Sequence, residues 1–287
     1  RHTYLSTGTG DVSLLRRNAP TPRPKIFRFA KSQAFLGSVV AARQISMARF
    51  SCDIILRTYL NMRKAIIIYG PPGAGKGTQA NLLADVSGML HFDTGKYIEQ
   101  VVHDSANRKN KIIQREKINF DSGKLCTPAW VLKITIDKIK ELSRAGFGLV
   151  FSGSPRTVFE AFGDDVNEGV ISVLEKLYGK KNIAPVLLRV APKTSILRNS
   201  SRLVCSICGT AVLANNCLGK SCPLCGASLR RRTLDKPEVI KVRLAEYQNR
   251  TAPILAGLKK RGYKIKEVNG EPAPYKVFQT LFKRLND

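Results

Sequence analysis

From residue 65 onward, short apolar runs alternate with longer amphipathic segments. The run AIIIY at Ala65–Tyr69 predicts a strand, as do runs near Met89–Asp93, Gly148–Ser152, Ala184–Val190 and Tyr263–Val268. Between and after them the apolar spacing predicts helices near Lys76–Ser87, Pro128–Ala145, Lys193–Ser200, Lys236–Lys260 and Pro274–Leu285. Strands alternating with helices indicate an α/β class, with a parallel sheet covered on both faces. The first sixty residues lack this alternation. They carry TPRP, scattered arginines, many Ser and Ala, and few large apolar residues before position 50. Over residues 50–64 the pattern predicts an amphipathic helix. Phe50, Ile54, Ile55, Tyr59 and Met62 fall on one side and Arg49, Arg57, Arg63 and Lys64 on the other, with Leu56 and Leu60 interrupting the polar face. No internal repeat is evident. The longest apolar runs, AFLGSVVAA and AIIIY, fall far short of the roughly 18 residues a membrane span needs, so a soluble or peripheral protein is expected.

Composition agrees with a globular body, since 287 residues with 43% hydrophobic side chains suffice for one α/β domain with an insertion. Charge changes the picture more. The chain has 48 Lys and Arg against 21 Asp and Glu, a formal +27. Residues 1–64 hold 12 of the basic and two of the acidic side chains, Asp11 and Asp53, leaving 36 and 19 for the rest. The arm carries +10 and the body +17, so the excess is not confined to a tail. Such a surplus favours polyanionic partners: nucleic acid, anionic membrane or an acidic protein surface. The arm has the composition of a mitochondrial transit peptide, most clearly at VVAARQISMARFSC. Having no core of its own, it is expected to order only against a partner.

Two motifs carry chemistry. GPPGAGKGTQA, Gly70 to Ala80, follows the first predicted strand and leads into a predicted helix. In that context the backbone N–H groups of Gly70, Gly73, Ala74, Gly75, Lys76, Gly77 and Thr78 wrap a phosphate, and Lys76 adds a positive charge. Glycine is needed because side chains would block the close backbone approach. The second motif is CSIC with CPLC, which places Cys205, Cys208, Cys222 and Cys225 as two knuckles thirteen residues apart. Four such thiolates hold one tetrahedral zinc and staple a segment too small for its own core.

The order Lys76-Gly77-Thr78-Gln79 resembles adenylate kinases and related nucleoside monophosphate kinases. HFDTGKYIE, DSGKLCTP, GSPRTVFEA and EYQNRTAPIL continue the resemblance in the family's order over residues 65–287. It implies a three-layer P-loop kinase fold with a five-stranded parallel sheet, a helical monophosphate-binding segment at 94–130 and a zinc-ribbon lid at 198–235. The metal would be structural, as in bacterial relatives, and the fold suits metal better than a disulfide pairing. Cys217 is then a spare lid residue, and Cys52 and Cys126 small buried or neutral side chains. Transferred by motif, Lys76 serves the phosphate loop and Arg156 holds the monophosphate. Arg198 and Arg202 enter the lid; Arg232 and Arg243 lie on its return. The catalytic set is thus Lys76, Arg156, Arg202, Arg232 and Arg243, with Arg198 on the nucleotide.

The monophosphate site departs from the family. Its Ser-Thr-Gly-Asp-x-x-Arg is here Asp93-Thr94-Gly95-Lys96-Tyr97-Ile98-Glu99, so an acid has become Lys96 and the arginine Glu99. The acid before the Gly-x-Pro-Arg turn is Ser152, ahead of Gly153 and Arg156; Glu160 replaces a base-reading Gln, and Leu234 one of two hinge acids, leaving Asp235. A unit negative charge about 4 Å from another costs roughly 4 kcal/mol at an effective dielectric near 20, so Glu99 would repel a monophosphate unless it turns away. Nucleotide binding, to ATP or a relative, is expected to outlast kinase activity, with the magnesium shell in doubt. The expected role is a weak or inactive kinase-like component of an RNA-containing assembly in the mitochondrial matrix, the mitochondrial ribosome or an assembly intermediate. There rRNA and ribosomal or assembly proteins would meet the basic arm and body. The alternatives are a working mitochondrial nucleoside monophosphate kinase, and a subunit docked on an acidic protein assembly.

Overall fold

A computed structural model describes residues 65–213, 221–231 and 235–287. The arm, the amphipathic helix expected at 50–64, Cys52, Cys217, Arg232 and Leu234 lie outside the described residues. The first strand, β1 (Ala65–Tyr69), is buried at every position and stands at the centre of the sheet. With β2 (Leu90–Phe92), β3 (Leu149–Phe151), β4 (Ile183–Arg189) and β8 (Lys266–Asn269) it forms the five-stranded sheet that the resemblance implies, in the order β2-β3-β1-β4-β8. All four pairings are parallel, with Ile66 opposite Val150 on one side and Ala184 on the other.

Alternate side chains of β1 feed two cores. Ala65, Ile67 and Tyr69 join Phe151, Leu174 and Leu258, while Ile66 and Ile68 join Leu83, Leu188 and Leu281. A strand apolar at every position is what burial on both faces requires. Each Ile so buried contributes about 1.5–3 kcal/mol. One face is covered by α1 (Lys76–Ser87) and α10 (Pro274–Asn286), the other by α4 (Pro128–Arg144), α6 (Val170–Tyr178) and α9 (Pro253–Lys260). These are the three layers.

Residues 94–130 form a satellite of α2 (Thr94–His103), a short turn at Ser105–Asn107 and α3 (Lys111–Ser122), closed by the start of α4. Its small core contains Ile98, Val102, Ile113, Phe120, Cys126 and Val131, which accounts for the buried Cys126. The helix α5 (Val158–Phe162) follows the turn after β3, and α7 (Pro192–Ser200) leads into the cysteine hairpin. There β5 (Arg202–Cys205), β6 (Ala211–Leu213) and β7 (Leu229–Arg230) pair antiparallel in the order β6-β5-β7.

Two expected elements differ. The single helix expected at Lys236–Lys260 is α8 (Pro237–Glu246), a wide π turn at Tyr247–Thr251, then α9. Pro253 has no N–H and its ring clashes with a regular helix, so the chain widens first. Ala252 N–H reaches back five residues to Tyr247 O at 2.8 Å. The last strand starts at Lys266, not Tyr263. Tyr263 N–H still closes α9 onto Leu258 O at 3.0 Å, and its ring packs on the core from a loop.

Candidate functional site

The chain leaves β1 into the glycine loop, whose glycines answer two different needs. At Gly73, φ is +81°, and a Cβ would stand 2.6 Å from Asn199 Nδ2 and 2.8 Å from Ser195 O of α7, so the loop is pressed onto its own fold. Gly77 differs: it is helical, and a Cβ there would meet nothing within 4 Å. No packing among the described residues explains it, whereas a ligand lying close to the backbone would. Helix α1 begins here with no side-chain cap and no acid in its first turn, leaving its N–H groups for an anion. Lys76 Nζ meanwhile donates to Gly70 O at 2.7 Å and Pro71 O at 2.9 Å. Burial of that end, then the charges of Arg243, Arg156 and Arg202, push its pKa down to about 7, with Asp93 pulling the other way.

The three arginines reach the site from different elements. Arg156, in the turn after β3, donates from Nε to Gly153 O, and its guanidinium lies against the start of α2. A Cβ on Gly95 or Gly153 would come within 3.1 and 3.2 Å of its Nη2. Arg202 opens the cysteine hairpin and Arg243 sits on α8; both pair with Asp235. Arg202 Nε meets Asp235 Oδ2 at 2.8 Å and its Nη2 meets Oδ1, while Arg243 Nη1 lies 3.5 Å from Oδ1. The Asp235 side chain is 2% exposed, so one buried carboxylate aims two cations. Arg198 is held further out, donating to Gly270 O at 2.8 Å and Glu271 O at 2.7 Å.

Gly73, Lys76, Gly77, Arg156, Arg198, Arg202 and Arg243 line one cleft of about 1410 Å³, together with Gly70, Ala74, Gly75, Thr78, Lys96, Glu99, Ser152 and Gly153, while Asp235 holds its two arginines from behind the cleft wall. Of the expected site residues, Thr94 and Glu160 lie in a narrow slot beside it, and Arg232 is outside the described residues. Lys96 turns toward the hairpin, its Nζ 3.2 Å from where a Cβ of Gly209 would stand. Ser152 Oγ is 2.7 Å from His91 Nε2, and His91 Nδ1 is 2.5 Å from Asn81 Oδ1. Burial lowers the His91 pKa, with Asp93 raising it.

Motif transfer missed Asp93. The two acids sought at positions 96 and 152 are absent, yet Asp93 puts a carboxylate in the cleft three residues before Lys96. Its Oδ1 caps α2, accepting from Gly95 N–H at 3.0 Å and Lys96 N–H at 3.2 Å. An Asp directly before a helical segment is an N-cap signature, and that signal was present in the sequence.

In the hairpin, the Sγ atoms of Cys205, Cys208, Cys222 and Cys225 all lie within 4.8 Å of one another, with Cys205 to Cys225 at 3.4 Å and Cys208 to Cys222 at 3.7 Å. Sulfurs at about 2.3 Å from a shared tetrahedral zinc stand roughly 3.8 Å apart, so the four thiols fit such an ion. The N–H of Ile207 points at Cys205 Sγ at 3.4 Å, a donor placed to orient a thiolate ligand.

Among known families, the adenylate kinase model matches residues 68–263. The chain is 32% identical over 218 residues to an adenylate kinase of Chlamydia pneumoniae, covering 76% of this chain and 95% of that protein. It is 31% identical to those of Kosmotoga olearia, over 77% of this chain and 99% of the relative, and Paracoccus denitrificans, over 66% and 83%.

Proposed function

Because the chain belongs to the adenylate kinase family, we propose that its cleft binds a nucleoside triphosphate on the glycine loop and a nucleoside monophosphate beside Arg156, and moves a phosphoryl group between them slowly. The observation that carries this reading is the meeting of Lys76, Arg156, Arg202 and Arg243 in one cleft, at the uncapped start of α1. Phosphoryl transfer asks little covalent chemistry of a protein and much positioned positive charge. Each cation about 4 Å from a phosphate oxygen is worth roughly 4 kcal/mol at an effective dielectric near 20. Asp235 fixes two of the four before a substrate arrives, so less reorganisation accompanies transfer.

The slow rate follows from Lys96 and Ser152, which cannot order a metal's water shell as acids would. A magnesium ion on the phosphates would be held here by the Thr78 hydroxyl and the Asp93 carboxylate, and it would supply further charge neutralisation. The test is ADP formation from ATP and a monophosphate with magnesium, for the natural protein and for Lys96→Asp with Glu99→Arg and Ser152→Asp. The expected result is measurable turnover that rises at least tenfold in the triple variant. Full family-like turnover in the natural protein would contradict the slow rate, and none in either form would sink the reading.

A second reading, supported by the formal +27, is that the protein also serves as a basic component of an RNA-containing mitochondrial assembly. Lys and Arg would grip phosphates without reading sequence. Sucrose-gradient sedimentation of the endogenous protein should show co-migration with large ribonucleoprotein particles, abolished by RNase. Migration near the monomer mass without RNase treatment would remove this reading.

A further inference from the structure

Behind Arg156 the cleft continues into a slot of about 20 Å³ between Thr94 and Ile98 of α2, Phe120 of α3, Val131 of α4, and Glu160 of α5. Phe120, Lys124, Leu125, Gly153 and Arg156 line both spaces, so the slot opens on the cleft. Its walls are largely apolar, yet two polar groups are buried there. Glu160 is 2% exposed and Thr94 is 1% exposed. Glu160 Oε2 accepts from Arg156 N–H at 2.7 Å. Thr94 Oγ1 has no hydrogen-bond partner among the described residues. An unmet buried hydroxyl costs about 1–3 kcal/mol, which a ligand offering the missing partner would recover.

The donor and acceptor pattern identifies that ligand. An ionised carboxylate only accepts hydrogen bonds. Adenine sets its 6-amino donor beside N1, whose lone pair would face the carboxylate. Guanine sets N1–H beside its 2-amino group, two adjacent donors for two carboxylate oxygens. Its O6 and N7 are acceptors, and the Thr94 hydroxyl can donate to either. We propose that the slot selects guanine over adenine, with Glu160 as the specificity-determining residue and Thr94 as its partner. Burial raises the Glu160 pKa on balance, with the Arg156 N–H, the Thr157 hydroxyl and the charges of Arg156 and Arg250 only opposing it, and two donors presented by a guanine would favour its ionised form. At its present width the slot admits little more than a water, so base entry requires α2 and α3 to move away from Glu160.

This inference rests on the proposed monophosphate site beside Arg156. Calorimetric titration of the full chain with GMP, IMP and AMP, with a non-hydrolysable ATP analogue bound, tests it. GMP should bind at least tenfold tighter than AMP, and IMP, which lacks the 2-amino group, should fall between. Glu160→Gln should reverse the order in favour of AMP, and Thr94→Val should weaken GMP several-fold. Should Glu160→Gln not fold, Glu160→Asp keeps the acceptors and should keep the preference for GMP. AMP binding as tightly as GMP to the natural protein, as a protonated Glu160 would give, overturns the proposal alone. If the ATP analogue binds and no monophosphate does, the underlying site reading fails with it.

Discussion

Lys76 gives up two of its donors to the carbonyls of Gly70 and Pro71 while three arginines bear on its charge. Its pKa near 7 in the folded chain lies below the unfolded value of about 10.4. Between those two pH values the unfolded chain binds more protons than the folded one, so the protein gains stability as pH rises through that window; below it both forms are charged and the cost is full. A bound phosphate favours the charged amine and restores its proton. Triphosphate binding near pH 8 should therefore take up a proton, and affinity should fall from pH 7 to pH 9. Calorimetry in two buffers of different ionisation heat would measure the uptake, which Lys76→Met should abolish. Asp235 is the buried acid that holds two of those arginines. Asp235→Ala leaves Arg202 and Arg243 without their buried partner, and because both arginines keep about a fifth of their surface in water, a loss of about 2–3 kcal/mol is expected rather than the full value for a buried pair. Urea unfolding would read that loss, and phosphoryl transfer should fall with it.

At the scale of elements, β1 and α1 were legible because an apolar run, a glycine loop and Gly88, in a left-handed conformation, mark their limits. The edge of β8 was not, since Tyr263 and Ile265 are apolar for a different reason: they pack onto the core from a loop. Of the site, the glycine loop and the cysteine spacing were readable locally. Asp93 was not found by comparing position with position, because it caps a helix one turn from where an acid was sought. The pairing of Arg202 and Arg243 through Asp235 joins residues distant in sequence and needed the fold. Between α5 and α6, Gly163 holds φ +75° where a Cβ would lie 1.8 Å from Asn167 O. Gly163→Ala should cost about 2–3 kcal/mol, read as a lower melting temperature. Among the described residues the cysteine hairpin shows no comparable core, for Ile207 and Leu224 are 78% and 75% exposed. Chelation should therefore release four titratable thiols and remove hydrogen-exchange protection from β5, β6 and β7, while the five-stranded sheet keeps its own. Loss of protection in both sheets together would show that the hairpin is not a separate metal-dependent unit.

For the whole molecule, charge and cleft are separable. Residues 65–287 hold the sheet, both of its cores and the cation cluster, whereas residues 1–64 contribute ten of the 27 net charges. Removing residues 1–64 should leave triphosphate affinity within about twofold but reduce affinity for a generic RNA and flatten its salt dependence, measured by fluorescence anisotropy from 50 to 200 mM salt. An unchanged slope would assign the polyanion contacts to the body alone. The wide turn at Tyr247–Thr251 bears on the molecule in another way. Each residue of a helix advances it by about 100°, so the extra residue acts as a phase offset between two consecutive helices. It lets α9 keep Ile254 and Leu258 facing the core while α8 presents Arg243 to the cleft, and Thr251 Oγ1 anchors the offset to Arg156 O at 2.7 Å. A chain shortened by one residue there would fold with the same core and rotate its cation away from the cleft.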